Sequence, residues 1–343
     1  MNRSFFNACI FAVAAAILLS AFIPAHAAEI PRADAVRIRE AQKVRAKVLP
    51  RIWPVPRDTA FPMLFVLENE EFLIDHPAGS EDFGTRGFDP FLKSEYFSRP
   101  RVFNPAFLAT FPAVAGSSLP TVVIGKAENT WVKTTTPWIY TVIHENFHQF
   151  ADSRPGNYEE IAKLELDGGD ETGMWMLNYP FPYEDADVNK RFSVLSNALA
   201  DALEADKENF AANAAKYLKL RKDFGDSLAD KDHRYLRFQL WKEGTARYTE
   251  IEAARLASKK AKPSKDVRGL PDFKDYAQFH REFKKQTIAS LRTMKLEELK
   301  REVVYAFGAS EAMLLDLLRP DWKKEYFKCG MALDTLFPEK SSE

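Results

Sequence analysis

The chain has 343 residues, 46% of them hydrophobic, which suffices for one large core or two modest ones. Its 48 basic and 49 acidic side chains nearly cancel, and no run of lysine or arginine is interleaved with aromatics, so no nucleic-acid partner is expected.

Residues 1–27 read as a secretory signal peptide, with a positive start at Arg3, an apolar stretch from Phe5 to Ile23, and a small-residue cleavage site at Ala25-His26-Ala27. An uncleaved membrane anchor is the alternative, disfavoured by the short apolar core and by Pro24. The mature chain is expected to start near Ala28 and to be exported, periplasmic or secreted. No stable membrane insertion is expected after processing, because no second apolar stretch is long enough to span. Loss of Cys9 with the signal leaves Cys329 alone, so no intramolecular disulfide can form.

The spacing of apolar residues predicts a helix from Arg32 to about Val48, broken by Pro50, Pro54 and Pro56 before a strand pair in PMLFVLENEEFLI. Thr121 to Ile124 is a β-branched run and a good strand, placed either inside a sheet or at its edge, where an extended peptide could pair with it. Thr136-Pro137 is a favourable helix start, and the helix is expected to run from Pro137 to about Ala151. A long stretch rich in glycine, proline and acids follows. Within it MWMLNYPFPYEDAD reads as a core cluster or, alternatively, as a groove lining. Helical patterns resume from Val188 to Phe224 and from His233 to Lys259, and a further mainly helical part spans Phe273 to Phe337, with breaks near Gly308, Pro320 and Gly330.

The chemistry concentrates in TVIHENFHQF. On a helix His144 and His148, four residues apart, project from one face and can grip one ion. Glu145 lies one residue round the helix, unsuited to the same coordination shell but suited to take a proton from water bound to the ion. A catalytic zinc site needs a third protein ligand. The pattern with a third histidine fails, because Ala151 and Arg154 stand where glycine and histidine would be required. The best candidate is Glu243 in LWKEGTARYTE, followed by Gly244 and Ala246. A glycine costs a helix about 1 kcal/mol, so its presence suggests that another backbone passes close by. The alternative makes Glu243 a solvated acid paired with Arg247.

HENFHQF followed by LWKEGTARYTE resembles the gluzincin metallopeptidases, in which His-Glu-x-x-His is paired with a downstream Trp-x-x-Glu-Gly-x-Ala-x-Tyr-x-Glu, as in the M1-type aminopeptidases. Trp241, Gly244, Ala246, Tyr248 and Glu250 also fall on that pattern. The resemblance implies Zn2+ held by His144, His148 and Glu243, with Glu145 activating water. The 95 positions separating His148 from Glu243 exceed the family's spacing, and the amine-recognising Gly-x-Met-x-Asn sequence is missing upstream. Arg247 stands where thermolysin-like relatives carry an aspartate that orients a metal histidine, so another acceptor is needed: Asp152, Asp167, Asp170 or Glu250. Tyr248, Tyr305 and His233 are candidates to stabilise the oxyanion, and Tyr248 lies within the motif itself.

The expected fold is α+β, mostly α, zincin-like, with a small N-terminal sheet and a helical C-terminal half. Its expected parts are the signal (1–27), an α/β part carrying the metal helix (28–152), an insertion (153–231) and a helical part with the third ligand (232–343). The expected function is hydrolysis of a peptide or protein substrate. The alternative is a non-catalytic metal-binding protein or a zincin-shaped binding protein. The sequence does not fix the oligomeric state.

Overall fold

The structure, a computed structural model, describes residues 29–338; the signal reading and Cys9 lie outside them. The fold is α+β and mainly helical, with a six-stranded sheet in the N-terminal half and helices in the C-terminal half. Helix α1 (Arg32–Ile52) leads into the hairpin β1 (Met63–Val66) and β2 (Glu70–Ile74), the strand pair read from the sequence. α1 carries Pro50 through its last turn and ends later than the sequence suggests, because its C-terminal apolar residues Val48, Leu49 and Ile52 are buried in the helical core.

Strands β3 (Thr85–Asp89), β4 (Ser94–Pro100), β5 (Leu108–Phe111) and β6 (Thr121–Gly125) complete the sheet in the order β3-β4-β2-β1-β6-β5. Among the described residues only β1 and β6 pair in parallel. Thr121 to Ile124 therefore lies inside the sheet, and β5 is the outermost strand at that side. Alternate residues explain why β1 and β6 are buried on both faces. Phe65, Val122 and Ile124 pack towards the helices with Trp138, Ile139 and Val142, while Leu64, Val66 and Val123 join a second cluster flanked by Phe97, Phe103 and Phe111.

Helix α2 (Thr135–Asp152), which carries His144 and His148, lies against this sheet, buried on nearly every face. Its start is tied by other elements, not by its own threonine as the sequence suggests. Asp272 accepts the Thr135 backbone N–H (2.8 Å) and hydroxyl (2.7 Å), placing a negative charge at the helix N-terminus, and the Thr136 hydroxyl is held by the Lys274 backbone. Trp138 Nε1 donates to Gly125 O, and Gln149 Nε2 donates to Pro62 O and Pro120 O, so both ends of α2 are pinned to the sheet.

Two short helices, α3 (Asn157–Ala162) and α4 (Trp175–Asn178), interrupt the long irregular stretch, and α5 (Ala186–Glu204), α6 (Phe210–Ser227) and α7 (Asp230–Gln239) follow. The aromatic segment around α4 belongs to the core: Trp175 stacks on Phe238, and Tyr179 stacks on Tyr235. A single π-turn, Leu240–Gly244, joins α7 to α8 (Thr245–Lys260). Beyond it lie α9 (Lys265–Arg268), α10 (Tyr276–Ser290), α11 (Leu296–Leu299) and α12 (Val303–Leu318), then three short 3-10 turns. Gly308 does not break the last long helix but sits in its middle. No helix among the described residues is long and apolar enough to cross a membrane.

Candidate metal centre

α8 packs across α1, α2, α10 and α12, and this crossing brings the two separated motifs together. His144 and His148 on α2 face each other with Nε2 atoms 3.1 Å apart. Glu243, in the π-turn, places Oε2 3.3 Å from His148 Nε2 and 3.5 Å from His144 Nε2. A π-turn re-aims side chains within a continuous helix and is often found at functional sites.

Tetrahedral coordination with nitrogen and oxygen bonds of about 2.0–2.1 Å requires ligand atoms about 3.3 Å apart. The observed edges of 3.1, 3.3 and 3.5 Å meet that requirement, so the three residues can hold a metal ion.

Around this triangle the charges are ordered. His144 Nδ1 donates to Glu250 Oε1 at 2.7 Å, which fixes the proton on Nδ1 and leaves Nε2 free to ligate. The other Glu250 oxygen takes Arg247 NH1 at 2.9 Å. Arg247 thus pairs with Glu250, not with Glu243. Of the four acceptors considered, Glu250 is the one at a metal histidine: Asp152 binds Lys242, Asp170 closes its own turn, and Asp167 caps Gly169. The second ring nitrogen of His148 has no partner among the described residues.

Burial pushes the His144 imidazole down, but hydrogen bonds to Glu243 and Glu250 and the charges of Glu250 and Glu145 outweigh it and raise it to about 9. Burial likewise opposes ionisation of Glu243, yet His148 and His144 hold its carboxyl well below the usual range.

Glu145 is 4% exposed, and its Oε2 accepts the Thr110 hydroxyl at 2.7 Å. Thr110 lies on β5, so the outermost strand and the proposed base are in direct contact. The sequence carries no signal for this threonine beyond its place in a short apolar run.

The tyrosine beside the histidines is Tyr305, whose ring centroid lies 6.0 Å from that of His144. Its hydroxyl accepts Arg301 NH2 at 3.0 Å, and burial, then Glu243, push its ionisation far up, so it remains a donor. Tyr248 is committed elsewhere: it donates to Asp316 Oδ2 at 2.6 Å and packs edge-on to Trp322. Five residues beyond Glu243, it leaves the helix rotated by about 140°. Of the two candidate tyrosines, Tyr305 lies beside His144, while the Tyr248 hydroxyl is bound to Asp316. His233 lies half-buried against Gly225 on α6.

Gly244 meets a passing backbone, as its presence in a helix suggests, but that backbone belongs to α12 at Gly308, not to α2. The contact carries Arg301 and Tyr305 to the centre. Comparison of the chain with protein-family models, with curated proteins and with solved structures gives no match.

Proposed function

We propose that the protein is an exported zinc-dependent hydrolase of peptide bonds, of the gluzincin type, with His144, His148 and Glu243 as metal ligands and Glu145 as general base. The single observation that carries this reading is the triangle of ligand atoms with edges of 3.1, 3.3 and 3.5 Å, contributed by His144 and His148 four residues apart on one helix and Glu243 on another. A purely structural zinc site is normally closed by four protein ligands. Among the described residues the metal-capable group here has three, which favours the catalytic form over the non-catalytic alternative.

Zinc bound there supplies Lewis acidity, polarising a carbonyl and lowering the pKa of water to about 7. The protein's own residues divide the remaining work. Glu145, steadied by Thr110, receives the proton of the attacking water and delivers it to the leaving amine. Tyr305 donates to the carbonyl oxygen as its negative charge grows. Glu250 keeps His144 in the tautomer that presents Nε2, and Arg247 balances the Glu250 charge. Among the described residues β5 is an edge strand with partly exposed residues, which supports the pairing of an extended peptide backbone beside Glu145.

Glu145→Gln tests the proposal. The variant is expected to retain one equivalent of zinc while cleavage of a peptide library falls by at least about 100-fold, the scale of general base catalysis. Cleavage that persists without the Glu145 carboxylate, or a wild-type protein that cleaves no peptide, contradicts it.

A further inference from the structure

Arg301 is a largely buried cation without a hydrogen-bonded carboxylate. Arg37, Arg99, Arg221 and Arg247, all at least as buried, each take a carboxylate oxygen at 2.6 to 2.9 Å. The Arg301 side chain is 16% exposed, yet its two hydrogen-bonded partners are neutral: Gln239 Oε1 at 3.2 Å and the Tyr305 hydroxyl at 3.0 Å. The nearest carboxylate oxygens, on Glu302 and Glu243, stand at 3.7 and 3.8 Å, beyond hydrogen-bond distance, and Glu302 is mostly exposed. A guanidinium offers five N–H donors in a fork that matches a carboxylate, so most of its donor capacity is unspent.

The backbone holds this side chain in place at a cost. Arg301 follows Lys300, a non-glycine residue at φ 49° and ψ −126°, in the 3-10 turn that opens α12. Strained backbone of this kind persists where the surroundings enforce it, and it clusters at functional sites. Across the centre, Glu243 turns one oxygen to the histidines and the other towards Arg301. An ion held by Glu243 would share that carboxylate's charge, leaving the mostly exposed Glu302 at 3.7 Å as the other acid beside Arg301.

From this placement we infer that Arg301 receives a free carboxylate of the substrate, located within about two residues of the bond cut, given the roughly 3.5 Å that each extended residue spans. The inference rests on the hydrolase reading and assigns its substrate class: peptides carrying a carboxylate next to the scissile bond, supplied either by the chain terminus or by an Asp or Glu side chain.

The experiment uses the zinc-loaded protein and acetyl-capped randomised tetrapeptides in three sets: free acids with neutral side chains, carboxamides with neutral side chains, and carboxamides containing Asp or Glu. One of the two carboxylate-bearing sets is expected to show kcat/KM about 10- to 100-fold above the neutral carboxamides, the range of a charge-assisted contact. Preference for the free acids identifies the terminus, and preference for the acidic carboxamides identifies the side chain. Arg301→Ala should collapse that ratio to near one with zinc content unchanged, and Arg301→Lys should restore part of it. Wild-type protein that cleaves all three sets alike overturns the inference while leaving the hydrolase reading intact. Arg301→Ala that slows all sets equally overturns it too, reducing Arg301 to a support for Tyr305. Zinc-loaded protein that cleaves no set overturns both. If the alanine variant does not fold, the wild-type ratio and the lysine variant decide.

Discussion

Gly244 and Gly308 meet backbone to backbone: a methyl group on Gly244 would lie 2.5 Å from the Gly308 Cα, and one on Gly308 would lie 2.7 Å from the Gly244 Cα. This contact lets the helix bearing Arg301 and Tyr305 approach the turn bearing Glu243. Alanine usually stabilises a helix interior relative to glycine by roughly 0.5–1 kcal/mol. Here the neighbouring atoms are backbone and cannot yield cheaply, so the sign reverses. Gly308→Ala is expected to cost roughly 1–3 kcal/mol in thermal or denaturant unfolding, the range for overpacking, and to weaken metal binding by displacing Glu243.

Thr110 offers a second test because one hydroxyl makes its polar contacts with Glu145, to Oε2 at 2.7 Å and to the backbone carbonyl at 3.1 Å. Thr110→Val keeps the shape and removes the donor, and a hydrogen bond to a charged group is worth about 1.5–3 kcal/mol, or roughly 10- to 100-fold. Turnover should fall by that factor with KM and zinc content little changed, and Thr110→Ser should recover most of it. Steady-state kinetics on one cleaved peptide compares the three proteins.

The three residues of the candidate centre are legible in the sequence because spacing and a neighbouring glycine mark them. His144 and His148 sit four residues apart within an apolar helix, and Gly244 beside Glu243 signals a close approach. What surrounds them depends on contacts distant in sequence, which periodicity does not carry. The π-turn at Leu240–Gly244 leaves no mark in composition, and that Tyr305 on α12 rather than Tyr248 on α8 lies beside His144 follows from how distant helices pack. Gly308 reads as a breaker because glycine weakens helices in general, whereas here it serves packing. Strands β3, β4 and β5 are partly exposed and without strong alternation, so a sheet of six strands reads as a smaller one.

Glu250 holds His144 by a 2.7 Å hydrogen bond and is itself 2% exposed. Partners that orient a metal histidine typically contribute 10- to 100-fold in metal affinity. Glu250→Gln should therefore weaken zinc binding by about that factor in a chelator competition, even though the amide can still accept from Nδ1.

Proton uptake gives a prediction with a defined sign. His144 is raised from 6.5 to about 9 in the metal-free protein, so at pH 7 it carries a proton that an ion must displace. Zinc affinity is expected to fall about tenfold per pH unit below about 9 on account of this proton, and calorimetry in two buffers of different ionisation enthalpy should count close to one proton released at pH 7. Stability of the metal-free fold follows the same linkage. The contribution of His144 is fully present below about 6.5 and is lost as pH rises through about 9.

The central claim is that two helices far apart in sequence close one metal site. Elemental analysis of the purified protein, wild type alongside His148→Ala and Glu243→Ala, tests it most directly. The account predicts one equivalent of zinc in the wild type and loss of most of it in both folded variants. Wild-type protein that binds no zinc, or a folded Glu243→Ala variant that keeps a full equivalent at unchanged affinity, contradicts it.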